Sequence, residues 1–112
     1  KKNDEAFALM EEIVNDKSFN RHLRDTVALK LASYKLEKAP LTEIEQLIGG
    51  IAGDNDNSWQ ISAQEMLALT NLRDGEIDKA ATLYNGILAN NKTPETVKRR
   101  IEDMLAVLPQ QQ

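Results

Sequence analysis

The chain has no cysteine, a single histidine, and only 4% aromatic residues across its 112 positions. Without thiols it can form neither a disulfide framework nor a thiolate metal site, and cysteine usage gives no reading of the redox compartment. The lone histidine, His22, lies between Arg21 and Leu23 at a helix start and reads as an ordinary, partly exposed side chain. No glycine-rich phosphate loop and no serine nucleophile elbow occurs. The carboxylate pairs Glu11-Glu12 and Glu43/Glu45 are adjacent or alternate residues, which point in different directions on a helix and read as solvated surface. Catalysis therefore has no groups to rest on, and no cofactor and no metal are expected. Positive charge is in short supply too. Fourteen Lys and Arg against 18 Asp and Glu leave a net charge of −4, which argues against nucleic-acid phosphate or an anionic membrane surface as partner. No apolar run approaches the ~18 residues of a membrane span, and no signal peptide is evident. The opening Lys1-Lys2-Asn3, without methionine, is expected to mark a piece excised from a longer chain, so any membrane contact would run through a segment missing from this one.

What is present is helical periodicity. Hydrophobic residues make up 41% of the chain, and with so few aromatics the core must be built of Leu, Ile, Ala and Val, which suits stacked helices. The organising stretch is Ser58 to Asn90, SWQISAQEMLALTNLRDGEIDKAATLYNGILAN. Its first half places Ile61, Met66, Leu67, Leu69 and Leu72 near one side, with Gln60, Gln64, Glu65 and Arg73 as polar positions. Its second half repeats the i, i+3, i+4, i+7 stripe in Ile77, Ala80, Ala81, Tyr84, Ile87 and Leu88, and Gly75 supplies the positive φ that a helix C-terminus needs. Upstream, a short helix over Asp4 to Val14 carries Phe7, Met10, Ile13 and Val14. A longer one from Asn20 to Glu37 carries Leu23, Val27, Leu31 and Tyr34, with Ala28 and Ala32 as close-approach points beside them, and Ala39-Pro40 ends it. Thr42 and Glu45 have the spacing of a capping box for a third helix with Ile44, Leu47, Ile48 and Ile51, weakened by Gly49-Gly50 and ending near Gly53. Thr93-Pro94-Glu95 reads as threonine cap, proline at the first helical position and an acid facing the dipole. The final stripe is Val97, Ile101, Met104, Leu105 and Leu108.

The Ser58 to Asn90 hairpin resembles a tetratricopeptide repeat, a helix-turn-helix unit of about 34 residues, in Leu67, Ala68, Ala80, Tyr84 and the Asp74-Gly75 turn. It departs from that pattern where Gln64 replaces a large aromatic, where Asn71 replaces a tyrosine, and where Pro94 arrives about two positions late. A shift of thirty-six residues sets Leu31 on Leu67, Ala32 on Ala68, Leu41 on Ile77 and Ile44 on Ala80, a second and weaker copy. The expected fold is all-α, a short right-handed solenoid of about six antiparallel helices in one domain over residues 1–112. It comprises a half repeat at 4–17, a weak repeat at 20–53, the best repeat at 58–90 and a terminal helix at 94–108. Arg24 with Ala28 and Leu31-Ala32, then Trp59, Ala63-x-Glu65-x-Leu67, Gly75, Ala80, Tyr84, Pro94 and Arg100, bring the whole chain to resemble the tetratricopeptide-like domain of bacterial inner-membrane proteins related to the ancillary subunit of the Sec translocon. That resemblance implies a non-enzymatic scaffold at the periplasmic face of the inner membrane. Its implied partners are proteins or peptide segments, translocon subunits and periplasmic chaperones among them.

In tetratricopeptide domains the concave face exposes the second, fifth, ninth and twelfth positions of each first helix. Here the resemblance gives Thr26, Leu29, Ser33 and Leu36, then Ser62, Glu65, Leu69 and Leu72, as a protein-binding groove. The lysine and asparagine clamp for a terminal carboxylate is missing, so an extended or helical apolar segment is the expected ligand. The competing reading buries Leu29, Leu36, Leu69 and Leu72 under neighbouring helices, and the competing function is a structural self-association module. One further pattern carries weight. Asp54, Asp56, Ser58, Ile61, Ser62 and Glu65 match positions 1, 3, 5, 8, 9 and 12 of an EF-hand calcium loop over 54–65, yet Trp59 stands where that loop requires glycine. The alternative makes Asp54 to Asn57 an acidic loop, Ser58 the N-cap of the next helix and Trp59 an anchor packed on the preceding helices.

Overall fold

The computed structural model describes residues 2–109, with side chains from residue 3 onward. They form six helices, α1 (Lys2–Asn15), α2 (Arg21–Lys35), α3 (Leu41–Ala52), α4 (Gln60–Arg73), α5 (Ile77–Ala89) and α6 (Glu95–Val107), and no strand occurs among the described residues. Each helix packs on the next in sequence, and α2 also touches α4. The molecule measures 44 × 29 × 20 Å, with a radius of gyration of 14.8 Å.

The sharpest turn is the one the sequence announces. Gly75, at φ 80°, is the only described residue in the left-handed region. Its N–H donates to the Leu72 carbonyl at 3.0 Å and that of Glu76 donates to the Asn71 carbonyl at 2.9 Å, the paired bonds of a Schellman motif that close α4 before α5 begins two residues on. The break between α3 and α4 is built from side chains instead. Asp54 Oδ1 accepts from the Asp56 N–H and Asn57 Oδ1 from the Trp59 N–H, so each acid or amide folds the chain two residues ahead of itself.

Burial repeats at the thirty-six-residue shift. Leu31 and Leu67, Ala32 and Ala68, Ile44 and Ala80, Ile48 and Tyr84, and Ile51 and Ile87 are all buried pairs. The core itself is in two parts. One gathers Ala28, Leu29, Ala32, Ile44, Ile48, Ile51, Ala63 and Leu67 from α2, α3 and α4. The other gathers Ala68, Ala80, Tyr84, Ile87 and Ile101 from α4, α5 and α6. Helix α4 belongs to both.

The departures from the Gln60 to Asn71 pattern have structural reasons. Gln60 is not an outer polar residue but a buried one, 5% exposed, and its Nε2 donates to the Ala52 carbonyl at 3.1 Å and to Asn55 Oδ1 at 2.8 Å. Gln64 donates to that same Ala52 carbonyl at 3.0 Å. Two amides thus satisfy an orphan acceptor at the end of α3. Asn71 is buried as well and donates to the Leu67 carbonyl one turn back in its own helix, at 2.8 Å.

Three helix starts differ from expectation, α4 and α6 by one residue and α3 by two. Helix α3 begins at Leu41 with Pro40 in the cap position and no side-chain cap, so the Thr42 and Glu45 box does not form. Trp59, not Ser58, occupies the α4 cap. Pro94, not Thr93, precedes α6; Thr93 is buried and its Oγ1 donates to the Ile87 carbonyl at 2.7 Å, closing α5 rather than opening α6. In α2 the expected stripe is rotated. Leu23 and Tyr34 are 39% and 54% exposed, and the buried face is Ala28, Leu29, Leu31 and Ala32. Helix α2 meets α1, α3 and α4 at once, and so buries more than one side. It also stops at Lys35, short of Glu37, and the Arg73 Nη1 donates to the Leu36 carbonyl left beyond its end.

Candidate functional site

Between α2 and α4 lies a shallow groove of about 240 Å³, lined by Thr26, Leu29, Lys30, Ser33, Trp59, Ser62 and Met66. Four of the eight sequence-derived groove residues, Thr26, Leu29, Ser33 and Ser62, therefore share one surface. Its apolar character has a specific origin. Thr26 Oγ1 donates to the His22 carbonyl at 2.8 Å and Ser33 Oγ to the Lys30 carbonyl at 2.6 Å. With their hydroxyls bonded to α2 itself, these residues offer little hydrogen-bonding capacity to a ligand. Leu29 is buried in the first core cluster and forms the floor, while Trp59 and Met66 pack against the same cluster from the α4 side. Trp59 Nε1 has no hydrogen-bond partner, and the indole lies beside His22 with ring centroids 6.3 Å apart. Lys30 is the one charged side chain on the wall.

The other four residues are placed differently. Glu65 accepts two bonds from Arg100 of α6, Nε and Nη2 each at 2.8 Å, a bidentate pair that holds the guanidinium pKa above its ordinary value. Leu72 packs on the second core cluster, and Leu36 and Leu69 are partly buried at the α2 end and along α4. Lys30, Trp59 and Met66 were not read from the sequence as groove residues. Their signal was position alone, since Lys30 follows Leu29 and Met66 lies one helical turn beyond Ser62.

Two other cavities flank the helices on either side of α3. One, of about 640 Å³, lies among α1, α2 and α3 and is lined by Leu31, Lys35, Thr42, Glu43, Gln46 and Leu47 together with Glu11, Val14, Asn15 and Pro40. Lys35 Nζ is 2.6 Å from Glu43 and 3.8 Å from Glu11, and the bond to Glu43 raises its pKa. The other, of about 390 Å³, lies between α3 and α5 and is lined by Leu41, Glu45, Asn71, Asp78, Lys79, Thr82 and Leu83.

The calcium-loop geometry is not assembled. Helix α4 begins at Gln60, the seventh position of the twelve-residue pattern, so its second half is helix rather than loop. Trp59 has φ −96°, not the positive value of the loop's glycine. Asp54 is bonded to Arg21 and Glu65 to Arg100, which takes both end carboxylates away from a common centre. Among the described residues no group of three or more His, Asp or Glu side chains is placed to hold a metal ion, and no helix is long and apolar enough to cross a membrane. In comparisons with known proteins no family model matches this chain, and neither a curated protein nor a solved structure matches it.

Proposed function

We infer that the chain is a non-enzymatic protein-interaction module, a tetratricopeptide-like solenoid of antiparallel hairpins whose α2/α4 groove receives an apolar segment of a partner. The observation that carries this reading is the groove itself, in which Thr26, Leu29, Ser33 and Ser62 come together with Trp59 and Met66 on an apolar surface between two first helices. The solenoid is supported by the thirty-six-residue recurrence of buried positions, by the three-residue α4/α5 connection, and by the α2–α4 contact that bridges successive units. The groove walls suit a ligand that brings its own backbone hydrogen bonding, such as an amphipathic helix laying Leu or Ile side chains between Leu29 and Met66. The resemblance to the periplasmic domain of Sec-associated inner-membrane proteins extends the proposal to secreted chains, translocon subunits and periplasmic chaperones as partners.

The test is site-specific photo-crosslinking from Ser33 and Ser62, both exposed on the groove, in the native-length protein in cells. Capture of translocon subunits, chaperones or secreted chains from both positions, and not from Asn85 on the exposed side of α5, is the expected result. Capture of only a second copy of the chain favours the self-association module, and equal capture from Asn85 removes the groove from the account.

A further inference from the structure

The thirty-six-residue equivalence that relates buried positions also relates the two cavities beside α3. Lys35, Thr42, Glu43, Gln46 and Leu47 line the first. The residues thirty-six further on, Asn71, Asp78, Lys79, Thr82 and Leu83, line the second. The first cavity supplies its own cation. Lys35 rises from α2 and sets its ammonium between Glu43 of α3 and Glu11 of α1, one carboxylate from each wall.

In the second cavity the central cation is gone, and two carboxylates line the walls from positions that are not the equivalents of Glu43 and Glu11. Asn71 stands in place of Lys35, shorter and uncharged. Glu45 of α3 and Asp78 of α5 stand on the two walls, and neither forms an ion pair with any described residue. Lys79, the only cation in the lining, takes the position equivalent to Glu43 and pairs with neither. Asn71 adds an independent sign of an unmet partner. It is 5% exposed, its Nδ2 is committed to the Leu67 carbonyl, and its Oδ1 is a buried acceptor with nothing to accept from. A buried acceptor left so is uncommon, because it carries its full desolvation cost. Leu41 and Leu83 complete the lining with aliphatic surface.

We propose that the α3/α5 cavity binds a lysine side chain presented by a partner protein, its ammonium lying between Glu45 and Asp78 as that of Lys35 lies between Glu43 and Glu11. The methylene stem packs along Leu41 and Leu83 while the charged head reaches the carboxylates, the usual division of labour in a lysine side chain. The ammonium carries three donors, enough for both carboxylates and the Asn71 amide oxygen. Because this site uses α3 and α5 and not the α2/α4 groove, it stands or falls separately from the groove reading.

The experiment is a titration of the ¹⁵N-labelled full chain, followed through the Asn71 side-chain amide and the backbone amides of Thr82 and Leu83. The probes are N-acetyl-lysine methylamide and its uncharged isostere N-acetyl-norleucine methylamide, at matched ionic strength. The lysine probe is expected to shift these signals saturably and to bind roughly tenfold more tightly than the norleucine probe. Glu45→Gln should weaken lysine binding several-fold. Lys79→Met, which removes the competing wall cation, should strengthen it. Asn71→Lys, which restores the internal ammonium, should abolish it, and Glu45→Gln keeps the test decisive if that core variant does not fold. Equal shifts by the two probes, no effect of Glu45→Gln, or weaker binding in Lys79→Met would each overturn the proposal.

Discussion

Replacing Gly49 and Gly50 by alanine should make the protein more stable, by an amount that can be worked from the structure. Both glycines lie inside α3, which runs without interruption from Leu41 to Ala52. Neither has positive φ, and a Cβ built on either meets nothing within 4 Å. The substitution therefore incurs no steric cost, and what remains is the backbone entropy that glycine loses on entering a helix, about 0.5–1 kcal/mol per site. Successive helical residues point about 100° apart and share no neighbour here, so the effects should add to about 1–2 kcal/mol. For a domain of this size that is a rise in melting temperature of about 4–8 °C. In urea the midpoint should rise with an unchanged slope, the mark of altered stability rather than altered compactness. Gly75→Ala is the control of opposite sign. At φ 80° an alanine is strained, and the variant should lose about 1–2 kcal/mol. If the double alanine variant melts no higher than the parent, α3 cannot be an ordinary exposed helix at that point, and the glycines must be kept for something that packs on them.

Three other substitutions or titrations separate the contributions seen here. Tyr84 is buried in the second core cluster and its hydroxyl has no partner, so Tyr84→Phe should hold or raise stability by up to about 1 kcal/mol in chemical denaturation, whereas Tyr84→Ala should cost about 3–5 kcal/mol. A loss on Tyr84→Phe would mean that the hydroxyl is satisfied after all. Gln60→Ala removes a buried donor that joins the end of α3 to α4, and should cost about 1–3 kcal/mol with local loss of amide protection at residues 52–55. Unchanged hydrogen exchange there would show that Gln64 alone suffices. The Asp56 N–H, and next Arg21, hold the Asp54 carboxyl below its ordinary value of 3.8. A depressed carboxyl contributes stability above its unfolded-state pKa that is lost as pH falls through the folded value, so ordering of residues 54–57 should persist below pH 3.8 and fail only under stronger acid. An NMR titration in which Asp54 titrates at or above 3.8 would refute this.

The helices were legible wherever one apolar face sufficed to place them. In α5 and α6 the stripes of Ala80, Tyr84, Ile87 and Ile101 are the buried positions, because each helix has one main contact surface. In α2 the same procedure chose Leu23, Val27, Leu31 and Tyr34, of which Leu31 is fully buried, together with Ala28 and Ala32 as close-approach points, which are buried too; Leu23 and Tyr34 are exposed and Leu29 takes their place. A helix packed by three others buries more than one side, and a single stripe does not describe it. Cap assignments failed for a different reason. Thr42, Ser58 and Thr93 are good cap residues by type, but a cap must stand at one backbone position, and Ser58 and Thr93 are displaced from it by one residue and Thr42 by two. The candidate site was half legible. The resemblance assembled Thr26, Leu29, Ser33 and Ser62, while Glu65 and Leu72 are drawn into contacts with α6 and the second core cluster. The Lys35 cavity was invisible, since Glu11 and Glu43 meet Lys35 only once α1, α2 and α3 have packed.

Helix α4 connects the two proposed surfaces and limits how they can be used. Ser62, on the groove, and Asn71, in the α3/α5 cavity, are nine residues apart. Nine steps of about 100° amount to two and a half turns, so the two side chains leave α4 on opposite faces, about 13 Å apart along its axis. One straight partner segment cannot occupy both. A single partner engaging both must pass around the end of the helical array, and otherwise two separate segments are required. Ala63 and Leu67 of α4 sit in the first core and Ala68 in the second, so a ligand on either face cannot displace α4 without disturbing both. Close-packed cores resist such displacement, and the two surfaces are therefore expected to bind additively, with any gain from a two-segment partner arising through effective concentration and not through a shape change.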